Sequence, residues 1–264
     1  MAPMLRMILT DLDHTLLRSD GSISEETLRV LQQCREKGML LAIATARYWI
    51  GAARYIELLQ PDIEITTDGT LVHAKGECIY SCAFTAEETN RIIEEINRRS
   101  PGAEITAAVG KTVYWNSRHI SASEKLHRAV YWDGISPLAG GANKIVVGLK
   151  DESIAERIAA ECRCTLQCYR GENWYAFLPP GSGKTAAIRA MAGTCGVALS
   201  DMAAFGDDRN DIDMLRLCGM GVAVANALPE VLEIADQTTA SNDEDGVAAW
   251  LKRYCLKENK TSGE

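Results

Sequence analysis

The segment ILTDLDHTLL, residues 8–17, constrains the fold more than any other stretch of the chain. A short apolar run leads directly into Asp11 and Asp13, and such a run is typical of a buried strand in a parallel sheet. Parallel sheets carry their chemistry at the carboxyl ends of the strands, and residues two apart in an extended chain point the same way. We therefore expect two carboxylates facing one ligand, although a turn capped by aspartate is the alternative for this segment alone.

A second acidic segment, AFGDDRNDIDML at residues 204–215, repeats the pattern of a small apolar approach followed by acids. It holds four aspartates and one asparagine: Asp207, Asp208, Asn210, Asp211 and Asp213. Like charges at this density repel unless a cation or a helix N-terminus compensates them. Mg²⁺ prefers such an oxygen-rich site, whereas a solvated helix start is the alternative for the segment by itself.

The stretch between residues 8 and 67 alternates strand and helix patterns. Ser24 can cap a helix that ends at Gly38, residues 39–44 form a buried apolar run, and a helix over 48–59 precedes a strand at 63–67. This alternation predicts an α/β fold whose core is a Rossmann-like, doubly wound parallel sheet with right-handed crossovers.

The pattern changes in the middle of the chain. Residues 70–82 alternate around Lys75-Gly76 and predict a hairpin, and Thr85 can cap the helix that follows. The succeeding segments, including a short helical stretch near 121–129, indicate a mixed α/β region. We therefore predict core segments at 1–81 and 179–264, with an inserted α/β cap domain at 82–178.

Composition restricts the partners of this chain of 264 residues. The net charge is −8 and no block rich in Lys and Arg occurs, which argues against nucleic acid or an anionic membrane as the main partner. No apolar stretch reaches the roughly 18 residues of a membrane span. Nine cysteines are scattered without paired CxxC spacing, so we expect free thiols, even in the cluster Cys162, Cys164 and Cys168, and a cytoplasmic location.

Four motifs, in order, resemble those of the haloacid dehalogenase (HAD) superfamily. The first is Asp11-Leu12-Asp13-His14-Thr15, which matches DxDxT, and the second is residues 38–47, an apolar strand followed by Thr45, with Arg47 two residues later. The third is Lys184 in GSGKTAAIRAM, and the fourth is Gly206-Asp207 with Asn210-Asp211, which matches GDxxND. Residues 221–251 resemble the closing stretch of the Cof-type branch, subclass IIB. The match is specific because all four motifs occur in the right order. The resemblance also implies a cap domain inserted between the second and third motifs, as the sequence pattern predicts. Two residues depart from the branch, since His14 and Ala46 replace glycines.

The resemblance implies roles for individual residues. Asp11 would be the nucleophile that accepts a phosphoryl group, and Asp13 would be the general acid and base. Mg²⁺ would be held by Asp11, the backbone carbonyl of Asp13, and Asp207, with Asp211 contributing through water. Catalysis would also use Thr45 and Lys184 as contacts to the transferring phosphate.

Three further residues are assigned to substrate binding beside Thr45 and Lys184. Ala46 lies next to the phosphate contact, and Arg47 would bind a phosphate or carboxylate, with a surface salt bridge as the equal alternative. Asn210 would orient Asp207 or Lys184. The four histidines, His14, His73, His119 and His127, show no metal-ligand spacing.

The expected function is a Mg²⁺-dependent phosphatase that hydrolyses phosphomonoesters of small metabolites, with sugar phosphates favoured because they are common among relatives. A phosphomutase would use the same residues, and a non-catalytic regulatory protein is the third class. The segment PPGSGKT at 179–185 resembles a P-loop, but that motif needs glycine where Leu178 stands. We expect a monomer or a weak homodimer with a phosphorylated metabolite as its partner.

Overall fold

The computed structural model describes residues 5–118, 129–169 and 173–256. His119, His127 and the short helix expected near 121–129 lie outside the described residues, except that Ala129 begins a strand. No helix in the described part of the chain is long and apolar enough to cross a membrane.

The described residues form fourteen strands in two sheets. They are β1 (Met7–Thr10), β2 (Leu40–Ala44), β3 (Ile63–Thr66), β4 (Leu71–Ala74), β5 (Glu77–Ser81), β6 (Ile105–Val109), β7 (Thr112–Trp115), β8 (Ala129–Tyr131), β9 (Lys144–Gly148), β10 (Thr165–Cys168), β11 (Trp174–Leu178), β12 (Met202–Gly206), β13 (Met220–Ala223) and β14 (Gln237–Thr238).

The α-helices of the described residues are α1 (Glu25–Glu36), α2 (Trp49–Leu59), α3 (Ala86–Arg99), α4 (Glu152–Cys162), α5 (Lys184–Cys195), α6 (Ile212–Leu217), α7 (Pro229–Ile234) and α8 (Gly246–Leu251). The predicted caps Ser24 and Thr85 and the predicted helix end at Gly38 are confirmed. Ser24 accepts a hydrogen bond from the Thr27 amide at the start of α1, and Gly38 follows that helix with φ of +84°. Thr85 and Glu88 form a reciprocal capping box at the start of α3.

The chain divides into two compact units. One contains the described residues up to Thr45, Leu59–Glu64 and the chain from Ile188 onward, and the other contains Ala46–Leu58 and Ile65–Ala187. The domain boundaries predicted from the sequence, 81/82 and 178/179, stay a prediction.

The first sheet has eight strands in the order β14-β13-β12-β1-β2-β3-β4-β5. Strands β12, β1 and β2 are neighbours and pair in parallel, as do β12 with β13 and β13 with β14. Every residue of β1 and β12 is buried, which is the pattern of a parallel sheet covered on both faces. The predicted α/β fold is confirmed.

The second unit carries its own sheet, in the order β10-β11-β9-β6-β7-β8. Neighbouring strands of this sheet pair antiparallel, except for β7 and β8, which pair in parallel. Helices α3 and α4 bury Ile92, Ile96 and Ile158 in the same apolar core as Phe177 of β11. The predicted hairpin is also present, at the edge of the first sheet. Its strands β4 and β5 pair antiparallel across Lys75 and Gly76, both of which have positive φ.

Candidate active site

Three candidate site residues follow three neighbouring parallel strands. Asp207 comes directly after β12, Asp11 after β1 and Thr45 after β2. The Asp11 amide donates to the carbonyl of Phe205 at 3.0 Å, so the ladder between β1 and β12 continues into the acidic residues. The carboxyl ends of adjacent parallel strands lie at one edge of a sheet, and this explains why residues far apart in sequence come together.

Three carboxylates form a cluster at this edge. Asp11, Asp207 and Asp211 each offer an oxygen, and these oxygens all lie within 4.8 Å of one another. Asp11 and Asp211 are buried and Asp207 is half-buried. The side chain of Asp13 is half-buried and is not a member of this carboxylate group among the described residues.

The acidic turn after β12 places Asp211. Its Oδ2 accepts hydrogen bonds from the amides of Asp207 at 3.1 Å and Asp208 at 3.2 Å. Gly206 makes this possible, because a Cβ at that position would lie 2.5 Å from the Cβ of Asp211. Asp208 caps the turn Arg209–Asp211, within which Asn210 is half-buried. The cluster therefore depends on a glycine and on local capping as well as on its acids.

Thr15 is a site residue to which sequence reasoning assigned no role. Its hydroxyl donates to Oδ1 of Asp207 at 2.7 Å and so fixes the orientation of that carboxylate. The only available signal was its place in the DxDxT motif. Burial raises the pKa of Asp207 to about 6; the Thr15 hydrogen bond opposes the rise, and the charge of Asp211 adds to it.

His14 adopts a backbone conformation that explains the glycine expected there. Its φ is +58° and its ψ is +5°, in the left-handed region that L side chains rarely occupy. Its carbonyl accepts a hydrogen bond from the side-chain amide of Asn226 at 2.8 Å. The side chain itself is exposed, so the substitution changes local strain without inserting a group into the core.

Ala46 and Arg47 belong to the second unit and are held by contacts within it. The carbonyl of Ala46 accepts a hydrogen bond from Lys144 Nζ at 2.9 Å, and that of Arg47 accepts one from the Thr67 amide at 2.7 Å. The Arg47 guanidinium lies 5.1 Å from the centre of the Tyr55 ring, and its Nη1 donates to the carbonyl of Gly51 at 3.1 Å.

Lys184 begins α5 and is only 5% exposed, so its side chain does not face the solvent. The turn before it contains Gly181 and Gly183, with φ of +73° and +136°. Ser182 closes this turn by donating to the Pro179 carbonyl at 2.6 Å. The roles assigned to Lys184 and to the other site residues stay predictions.

Comparison with known proteins identifies the family. A family model described as haloacid dehalogenase-like hydrolase matches residues 8–251. The chain belongs to this family. It is 26% identical over 261 residues to the 5-amino-6-(5-phospho-D-ribitylamino)uracil phosphatase YitU of Bacillus subtilis, covering 94% of this chain and 97% of that protein.

One further relative and one solved structure are also similar to the chain. The HMP-PP phosphatase of Cronobacter sakazakii is 26% identical over 243 residues, which is 87% of each chain. A solved structure, described as the HAD subclass IIB sugar phosphatase BT4131, shares the fold with a TM-score of 0.78 at 21% identity, covering 96% of this chain and all 100% of that one. The predicted family, its Cof-type subclass IIB branch and a phosphoric monoester hydrolase of the HAD type are confirmed.

Proposed function

We propose that the protein is a Mg²⁺-dependent phosphatase that hydrolyses phosphomonoesters of small metabolites through a phosphoryl group carried on Asp11. The observation that carries the proposal is the cluster of Asp11, Asp207 and Asp211 carboxylates at the ends of β1 and β12. Three acids held this close are expected to need a cation, and they lie where the family places its chemistry.

The donor set fits Mg²⁺. Carboxylate oxygens are the ligands this ion prefers, and it usually takes one or two of them together with water and substrate phosphate. We assign Asp11, Asp207 and the backbone carbonyl of Asp13 as its ligands, with Asp211 acting through water. When bound, the cation supplies positive charge that offsets the negative charges of the nucleophile and the phosphate.

The chemistry is divided between two aspartates. An Asp11 oxygen attacks phosphorus and the bond to the leaving oxygen breaks, while Asp13 gives that oxygen a proton. Asp13 then takes a proton from water as the water oxygen attacks phosphorus, and the bond to Asp11 breaks to release inorganic phosphate. Thr45 and Lys184 hold the phosphate oxygens during both steps.

The substrate class is proposed from the relatives. Each relative reported above is named for action on a phosphorylated small molecule, and two of the names specify a ribitylaminouracil phosphate and sugar phosphates. We propose a small phosphorylated metabolite for this chain, with sugar phosphates as the first class to examine.

The test is release of inorganic phosphate from a panel of phosphorylated metabolites, with Mg²⁺ and with EDTA. The wild type should release phosphate only with the metal, and Asp11→Asn should release none while its circular dichroism spectrum is unchanged. Asp213→Asn is the matched control, because Asp213 is an exposed acid at the start of α6. Metal-independent release, or retained turnover by Asp11→Asn, would refute the proposal.

A further inference from the structure

The second unit contains a turn in an unusual backbone conformation. Thr67, Asp68 and Gly69 follow β3 with φ of +58°, +56° and +80°, so three successive residues lie in the left-handed region. This conformation is costly for any L side chain and most unusual for a β-branched residue such as threonine. All three residues are buried. Such a turn persists only where its surroundings hold it in place.

A buried ion pair holds the turn. Lys144, the first residue of β9, pairs its ammonium with Oδ2 of Asp68, and each residue is 3% exposed. Gln167 donates to the other carboxylate oxygen at 2.9 Å, and the Tyr169 hydroxyl donates to Oδ2 at 3.4 Å. Burying two charges is expensive unless geometry and additional hydrogen bonds compensate, so this pair requires its partners.

The same groups also hold the backbone that follows Thr45. Lys144 Nζ donates to the carbonyl of Ala46 at 2.9 Å as well as to Asp68, and the Thr67 amide donates to the carbonyl of Arg47 at 2.7 Å. Two successive carbonyls of the second motif are therefore fixed by one turn and the lysine paired with it.

The turn also packs against the residues that begin α5. A Cβ built on Gly69 would lie 2.4 Å from the carbonyl carbon of Gly183 and 2.5 Å from the amide nitrogen of Lys184. Real Cβ atoms do not approach backbone this closely, so any side chain at position 69 would displace the backbone of Lys184.

We propose that Thr67–Gly69 and Lys144 are positioning residues for the phosphate contacts. They set the backbone of Ala46–Arg47, which directly follows Thr45 in the chain, and the backbone of Lys184 through Gly183. The proposal rests on the proposed function. The contacts that they position hold the phosphoryl group, which all substrates share. Their loss therefore lowers turnover of every substrate by a similar factor. Loss of a residue that contacts the leaving group would instead change the ranking of the substrates by kcat/KM.

Gly69→Ala tests the contact with Lys184, and Gly76→Ala is its matched control. Gly76 lies in the same unit with φ of +82°, and nothing lies within 4 Å of a Cβ built there. The two variants therefore introduce the same backbone strain, and only Gly69→Ala adds the collision. We expect kcat/KM to fall on the order of 10²-fold for Gly69→Ala relative to Gly76→Ala, equally across the substrate panel.

A second variant tests the ion pair if Gly69→Ala does not fold. Lys144→Met combined with Asp68→Asn removes both buried charges, keeps the lysine stem and leaves no unpaired ion. It should lower kcat/KM by a common factor across the panel and weaken competitive inhibition by inorganic phosphate. Lys150→Met, which removes an exposed charge just beyond the same strand, should behave as the wild type.

The outcomes separate the two proposals. If the wild type neither releases nor binds phosphate, the proposed function fails. If the wild type is active but Gly69→Ala equals Gly76→Ala, or the double variant equals Lys150→Met, the positioning role is refuted. A changed ranking of the substrates by kcat/KM, with unchanged inhibition by inorganic phosphate, would also refute it. These residues would then act on binding of the leaving group.

Discussion

Asp11 and Asp13 are two residues apart but differ in their surroundings. Asp11 is buried within the carboxylate cluster, whereas Asp13 is half-buried and outside it. The first is suited to act as a fixed nucleophile beside a cation. The second has the access to solvent that an exchange of protons with water requires.

Asp13→Asn should separate substrates by their leaving groups. An alkyl phosphate needs a proton on its departing oxygen, so its turnover should fall by about 10²–10⁴-fold. Formation of nitrophenol from p-nitrophenyl phosphate needs no acid, and a burst of about one equivalent per protein should therefore remain. Stopped-flow absorbance measures the burst, and its absence would contradict the role of Asp13 as a general acid that a good leaving group does not need.

The raised pKa of Asp207 predicts how Mg²⁺ affinity depends on pH. Burial raises this pKa to about 6, so the proton competes with the metal below that pH. Affinity measured by calorimetry should be roughly tenfold weaker at pH 5 than at pH 7, since one proton must be released. Asp207→Asn should lose this dependence, and an unchanged wild-type affinity between these pH values would count against Asp207 as a ligand.

The same shift affects stability without metal. The folded pKa of Asp207 lies above its ordinary value of 3.8, so folding favours the protonated form. The stabilisation is present in full below about pH 4 and is lost as pH rises through about 6. Metal-free protein should therefore become less stable across this interval.

The carboxylate cluster could be predicted from the sequence, but the ion pair and the turn at Thr67–Gly69 in the second unit could not. Asp11 and Asp207 each follow an apolar run, and a parallel sheet brings such ends together. The Lys144 and Asp68 pair joins residues 76 positions apart on different elements, and no spacing or periodicity predicts such a pair. The left-handed backbone conformation of Thr67 could not be predicted either, because threonine is not a residue that indicates positive φ.

At the scale of elements, the signals that fixed helix and strand ends were local. Ser24, Thr85 and the Lys75-Gly76 turn carry their structural preference in one to four residues, which is why the sequence predicted them. The six-strand order of the second sheet depends on pairings distant in sequence, such as β6 with β9, which local patterns do not contain. The boundaries between domains depend on the same distant contacts.

Helix α5 offers a paired prediction about glycine. Gly193 is exposed within the helix and nothing lies within 4 Å of a Cβ built there, so Gly193→Ala should raise the free energy of unfolding by about 0.5–1 kcal/mol. Gly196 follows the helix with φ of +64°, so Gly196→Ala should lower it. Urea unfolding measures both free energies of unfolding. A change of the same sign in the two variants would contradict the end of α5 at Cys195.

At the scale of the whole molecule, the net charge of −8 means that an anionic substrate needs positive charge focused locally, which a cation and a few basic side chains can supply. Because the cation is expected to bind the folded chain, Mg²⁺ at a hundred times its Kd should add about 2.7 kcal/mol to the free energy of unfolding. Thermal unfolding with Mg²⁺ and with EDTA measures the effect. Asp207→Asn should reduce it, and equal stabilisation of that variant would place the metal elsewhere.

The role of Asp11 as nucleophile is best tested by the intact mass of Asp13→Asn after reaction with p-nitrophenyl phosphate and Mg²⁺. We expect a gain of one phosphoryl group per chain, located on Asp11 by peptide mapping and absent when Asp11 is also changed to Asn. Turnover without any phosphorylated protein, or a phosphoryl group on another residue, would contradict the assignment of Asp11 as the nucleophile.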